Sequence, residues 1–215
     1  MLLISKTDFQ PYRNLTVNMD DSKRLEPFIL EAQRIDLCNM LGKRLYFDMI
    51  NNIETYNAGI AAQTEGHPYQ PTTDENWFKQ LLNGSSYTHT WADGATTTKQ
   101  YAGLKPVLVY LSFARFVRSD NIRSTQSGFV KKTVDFSTQI SDKEIQAVAA
   151  RAETDANAFF SAVQDFMADN AAYFRKYLHG GSLGHALPAE KRFGITLTAV
   201  KGNNYTTGSK CYLKR

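Results

Sequence analysis

Residues 101–118 read YAGLKPVLVYLSFARFVR, and no other stretch limits the fold so tightly. Apolar side chains at Leu104, Val107, Leu108, Leu111, Ala114, Phe116 and Val117 keep close to helical spacing, with Tyr110 and Phe113 between them. A helix apolar over so much of its circumference has to be enclosed on more than one side, so the chain must supply partners for it. Pro106 suits the first turn, where its missing N–H is no loss, and Arg115 and Arg118 sit where the helix dipole favours cations. Between Lys105 and Arg115, Ser112 and Tyr110 are the only polar groups this helix offers a pocket, so it reads as core packing rather than a catalytic wall.

The partners are legible on both sides of it. Asp20 to Ser22 are helix-capping types, and Leu25, Phe28, Ile29, Ala32, Ile35 and Cys38 or Asn39 follow at three-four spacing up to Gly42, which is placed to end the helix in a left-handed turn. A second helix carries Leu45, Tyr46, Met49, Ile50 and Ile53, and the polar stretch 54–74, with Gly59, Gly66, Pro68 and Pro71, reads as loop. DENWFKQLLNG is a short helix that buries Trp77, Phe78, Leu81 and Leu82 and stops at Gly84. Ser141 and Glu144 form a capping box that opens the longest helix. Its stripe runs through Ile145, Val148, Ala149, Ala152, Ala156, Phe159, Val163, Phe166, Met167, Phe174 and Tyr177 to about residue 178, with a break near Asp169-Asn170.

Between these helices, Tyr87, His89 and Trp91 alternate with threonines before the turn dipeptide Asp93-Gly94, which predicts a β-hairpin near 86–101. The Ser/Thr/Gln-rich stretch 120–140 reads as an excursion or second hairpin, and the N-terminal LLISKTDFQPYRNLTVN as a short strand or extended arm broken at Pro11. The predicted fold is therefore mainly α: a helical bundle core over 1–178 with one or two β-hairpins, and an extended C-terminal arm over 179–215 containing the alternating strand FGITLTAV.

Signals for chemistry are poor. His67, His89, His179 and His185 lack the i+3 or i+4 partners of a helical metal site, and GGSLGH lacks the GK[ST] ending of a phosphate-binding loop. Cys38 and Cys211 are too far apart to suggest a disulfide framework or a metal site with close ligand spacing. Acidic pairs such as Asp20-Asp21 lie where helix N-termini favour negative charge. No catalytic, metal or cofactor-binding residues are assigned, and no cofactor or enzymatic activity is expected. MLLISKTDF contains only a four-residue apolar run and nothing approaches a membrane span, which predicts a soluble, non-exported protein with no membrane partner. The formal net charge of +4 comes from the tail, where Lys191, Arg192, Lys201, Lys210, Lys214 and Arg215 face only Glu190 after residue 188. Those cations, with Lys131 and Lys132, are candidates to meet nucleic-acid phosphates or an acidic protein surface.

The runs LISKTDFQPY, LEPFILEAQRIDLCNMLGKRLYFDM, QYAGLKPVLVYLSFARFVRSD and FFSAVQDFMADNAAYFRKYL, taken in order, resemble head-tail connector or neck ring proteins of tailed bacteriophages. The likeness is strongest to those of phages infecting Bacteroidetes, including the crAss-like group, and spans roughly residues 2–178. The resemblance implies a structural virion protein, made in the host cytoplasm and placed in the neck between capsid portal and tail. Its subunits would form a ring, usually a dodecamer, that binds the portal protein and an adjacent neck or tail ring and lets DNA pass without sequence-specific contact. No catalysis is implied. In such an assembly the candidate partner-binding residues are Tyr87 and Trp91 in the hairpin and Phe193, Ile195, Leu197, Val200, Tyr205 and Tyr212 in the arm. Lys131, Lys132, Lys191 and Arg192 are candidates for the DNA channel or an acidic partner. A nucleic-acid-binding accessory protein is the alternative reading.

Overall fold

The computed structural model describes residues 1–13, 15, 24–64, 67–119, 122–125, 128–131 and 141–178. The fold is mainly α, as the periodicities predict. Helix α1 starts at Glu26–Glu31, passes through a π-helical segment Ala32–Leu37 and ends with the α-helical turn Cys38–Leu41. Helices α2 (Lys43–Ala62) and α3 (Thr73–Asn83) follow, then the antiparallel pair β1 (Ser85–Thr90) and β2 (Thr96–Tyr101). Next come α4 (Lys105–Ser119), a second antiparallel pair β3 (Ile122–Thr125) and β4 (Gly128–Lys131), α5 (Asp142–Asp169) and α6 (Ala171–Leu178). No described helix is long and apolar enough to cross a membrane.

Helix α4 is enclosed as its composition requires. Pro106, Val107, Leu108, Val109, Leu111, Ser112 and Ala114 are all buried, and α5 and α1 cover it from two sides. Ala114 lies against Ala149 and Ala152 of α5, where methyl-sized side chains let the two backbones approach closely, while Tyr110 and Phe113 close over the contact. The hydroxyl of Ser112 donates to the Leu108 carbonyl at 2.6 Å, and Tyr110 stacks on Phe159 at 5.6 Å between ring centres. Ser112 and the Tyr110 ring are thus both taken up in packing.

Four expectations are corrected. The N-terminal segment is no strand: Leu3, Ile4 and Phe9 are buried, and Lys6–Phe9 forms a 3-10 turn. That turn is fastened to the start of α4 by Lys105 Nζ, 2.9 Å from Asp8 Oδ1. Inside α1, the π-helical segment holds more residues per turn than an α-helix. The buried face therefore moves on to Ala32, Gln33 and Leu37, and Ile35, expected in the core, is 48% exposed. The displaced Gln33 replaces a strand neighbour for the N-terminus, accepting from the Leu3 N–H at 3.0 Å and donating to the Met1 carbonyl at 3.2 Å.

Residues 54–62 are helix, not loop. Ala58, Ala61 and Ala62 are strong helix formers that carry α2 past Gly59. A Cβ on Gly59 would stand 2.4 Å from the Tyr69 ring, so the glycine is where the returning chain packs on the helix. In α5 the stripe is rotated slightly from the expected one: Val148 is exposed, Phe159 is half-buried and Phe160 belongs to the core.

The short α3 begins with a capping box between Thr72 and Glu75, and ends at Gly84, whose φ of +82° suits glycine. Gly103 (φ +75°) meets it from the other end of the hairpin: a Cβ on Gly103 would lie 2.3 Å from the Gly84 nitrogen. Through this crossing the Leu104 N–H reaches the Leu81 and Leu82 carbonyls, each at 3.0 Å. Gly103→Ala combines backbone strain with a clash against main chain and should cost about 2–4 kcal/mol. Urea unfolding followed by circular dichroism would measure it, and a loss within the error of the fit would contradict this account of the corner.

Candidate interaction surface on the first hairpin

The β1–β2 hairpin rises from the two-glycine corner in the register Ser85↔Tyr101 through Thr90↔Thr96. Alternation along the strands gives it two different faces. Tyr87 and His89 of β1 share the inner face with Lys99 and Tyr101 of β2, all at least half-buried. The outer face consists of the exposed cross-strand pairs Ser86↔Gln100, Thr88↔Thr98 and Thr90↔Thr96, none of them charged. Threonine is suited to such a surface because its β-branch favours the extended backbone and its hydroxyl stays in water.

The inner face converges on Asp169, the last residue of α5. Its Oδ2 lies 2.8 Å from His89 Nδ1, 3.1 Å from the Tyr87 hydroxyl and 3.2 Å from Lys99 Nζ. Burial alone would raise the pKa of this carboxyl, but the hydrogen bonds from Lys99 and Tyr87, the Lys99 charge and the His89 contact together hold it below the usual carboxylate range. The Tyr87 hydroxyl is pushed the other way, by burial first and then by donating to Asp169. Below these groups Tyr101 stacks on Phe166 at 4.4 Å and donates its hydroxyl to the Gln80 carbonyl at 2.8 Å, tying the base of the hairpin to both α5 and α3.

At the tip, the Trp91 N–H donates to the Ala95 carbonyl at 2.8 Å and the Gly94 N–H to the Trp91 carbonyl at 2.9 Å, closing the turn. The Trp91 indole N–H donates to Thr97 Oγ1 at 3.0 Å, the His89 ring meets it edge-on at 4.5 Å, and Lys99 Nζ lies 5.2 Å from its ring centre. The indole is therefore fixed in orientation and yet 49% exposed. Of the two hairpin aromatics expected to meet a partner, Tyr87 is turned onto its own core and only Trp91 faces solvent.

A second polar cluster ties three helices together. Arg115 grips Asp36 with a fork, Nε to Oδ2 at 2.7 Å and Nη2 to Oδ1 at 2.8 Å, and reaches Glu31 Oε2 at 3.0 Å with Nη1. Arg118, one turn on, pairs with Glu153 of α5. These two arginines do more than face the helix dipole: they bind α4 to α1 and α5.

The remaining candidates fall elsewhere. His67 is exposed and forms an isolated bridge with Thr64, and among the described residues no three His, Cys, Asp or Glu side chains are grouped to hold a metal ion. Lys131 closes β4 opposite Ile122. Lys132, Lys191, Arg192, Phe193, Ile195, Leu197, Val200, Tyr205 and Tyr212 lie outside the described residues, as do His179 and His185. Asp169 itself was missed by sequence reasoning, which saw only a helix break there. One signal was present: a carboxylate at a helix C-terminus opposes the dipole, so it calls for a cationic partner.

This is a small, mainly helical bundle from which a clamped β-hairpin projects. The chain belongs to the family of unknown function DUF6712, which matches residues 39–186, from the end of α1 through α6. No curated protein and no solved structure matches it.

Asp169→Asn should loosen the hairpin and cost about 1–3 kcal/mol, because three donors lose their charged acceptor. Faster amide exchange confined to residues 85–101 would register it, and unchanged exchange there would count against the clamp. For pH the sign follows from the lowered pKa. The contribution is complete above the unfolded carboxyl value of about 3.9 and disappears as pH falls through the lower folded value.

Proposed function

We propose that the protein is a structural subunit of a phage neck, forming a ring that joins the capsid portal to the tail and leaves a channel for DNA. The observation that carries this reading is the hairpin. Its base is held by glycine crossing and carboxylate hub, while its tip holds out an oriented, half-exposed tryptophan. Each strand also has an outer edge with no neighbouring strand among the described residues. A ring built by one repeated contact needs two different faces on each subunit, and a rigid arm with an aromatic anchor and open strand edges suits one of them. The resemblance of residues 2–178 to connector and neck ring proteins supports the same reading, with the portal protein and an adjacent neck or tail ring as partners.

The reading is tested by the mass of the purified chain, alone and with the portal protein of the same phage, by native mass spectrometry or light scattering. A ring, or a stoichiometric complex with portal, is the expected outcome. A monomer that ignores portal but binds duplex DNA, with affinity falling steeply as salt rises, would transfer the proposal to a nucleic-acid-binding accessory protein. Trp91→Ala should preserve helicity while weakening assembly by about 2 kcal/mol or more, the scale of an aromatic anchor in an interface.

A further inference from the structure

Between α1 and α5 runs a groove made of two adjoining hollows, about 560 and 530 Å³, that share Asn39, Met40 and Asn157. Leu111 of α4, Met40 and Phe160 give it an apolar lining, and the amides of Asn39, Asn157 and Gln164 stand along it. Apolar floor with amide rim is the chemistry that receives an extended chain: alternate side chains go down, and the main chain meets side-chain amides. The same molecule already uses this device once, where Gln33 of α1 holds the main chain of Met1 and Leu3. At the far end of the groove Glu31, Asp36 and Glu153 outnumber Arg115 and Arg118, leaving that end acidic.

We infer that in the unassembled subunit this groove is filled by the chain's own segment Phe193–Val200. Three observations choose this occupant. The first is where the described chain ends. Asn39 and Met40 lie just before the Gly42 corner and Arg44 just after it, and the Arg44 guanidinium stands 5.8 Å from the ring centre of Tyr177 in the last helix. Four residues span at most about 14 Å, so the chain leaves α6 beside the groove's open end.

The second is length and pattern. The residues between Leu178 and Phe193 reach up to about 50 Å when extended, ample for the return. The α5 side of the groove, from Glu153 to Gln164, is about 16 Å long, which about five extended residues, Ile195–Ala199, cover, leaving Phe193 at the entrance and Val200 at the far end. Phe193, Ile195, Leu197 and Ala199 alternate with Gly194, Thr196 and Thr198, so one edge of the segment is apolar and the other small or hydroxylated. The third is charge. A segment entering at the Gly42 corner brings Lys201, the residue after Val200, to the acidic end, and the chain beyond residue 188 carries six cations against one acid.

The inference goes beyond the ring reading and does not depend on it. Its consequence is that a partner seeking Phe193–Val200 must first draw it out of the groove, which lowers the segment's apparent affinity by the fraction of time it is stored.

The test uses the full-length chain with a photo-crosslinking amino acid in place of Asn157, an exposed residue on the groove rim, and mass spectrometry of the products. Crosslinks within one chain from position 157 to the peptide containing 193–200 are expected. Leu197→Asp should lower their yield about tenfold, equivalent to 1.4 kcal/mol, with helicity by circular dichroism unchanged. Crosslinks that join two chains, making a second copy the occupant, would overturn the inference. So would an absence of crosslinks to that peptide, or a yield that Leu197→Asp leaves unchanged. None of these outcomes bears on the mass of the chain with portal, so the two readings fail separately.

Discussion

The structure depends on the burial of α4. A helix apolar on most of its surface is stable only where other elements cover it, and here Ala149 and Ala152 of α5 lie against Ala114 while α1 closes the opposite side through contacts such as Phe28 on Phe116. Alanine matters in that contact because it takes up so little space, letting larger rings, Tyr110 on Phe159 and Tyr12 edge-on to Phe159, wrap the sides of a close helix pair. Where α4 leaves the core its arginines turn outward to Asp36, Glu31 and Glu153, so the end of the apolar helix becomes the polar seam that holds three helices in register.

Against this core the first hairpin is held by constraints of two kinds. Gly84 and Gly103 cross so closely that neither position has room for a side chain, which fixes the direction of the strands at their base. Higher up, one carboxylate oxygen of Asp169 gathers Tyr87, His89 and Lys99 and fixes the inner face. An isolated two-stranded hairpin is marginal in water, so this one owes its shape to the bundle. The arrangement leaves an uncharged threonine face, two strand edges and the Trp91 indole at the surface, while the residues that pay for them are hidden.

Much of this was legible before any coordinates. The capping box of Ser141 and Glu144, the stop at Gly84, the hairpin turn at Asp93-Gly94 and the break after Asp169 are all decided by interactions within a few residues, and they stand where the sequence places them. Ile35 was misplaced because a period of 3.6 was carried through a segment that winds as a π-helix. The N-terminus was misread because its hydrogen-bonding partner, Gln33, is some thirty residues away. Residues 54–62 read as loop because Gly59 resembles a breaker when the Tyr69 ring that requires it is not in view. Of the surface site, the hairpin that carries Tyr87, His89 and Trp91 was legible from alternation, whereas Asp169 was not, since nothing local ties it to residues 87, 89 and 99.

The sequence by itself determined the class of fold, the helices with their caps and stops, and the position of the first hairpin, because periodic burial and terminal hydrogen bonding are energies of neighbouring residues. Only the tertiary structure decided which face of α1 is inside, that Tyr87 serves the core while Trp91 serves the surface, and that α1 and α5 frame a groove among the described residues. Those outcomes depend on atoms brought together from distant parts of the chain, where a single close approach or one shared carboxylate oxygen outweighs any local preference.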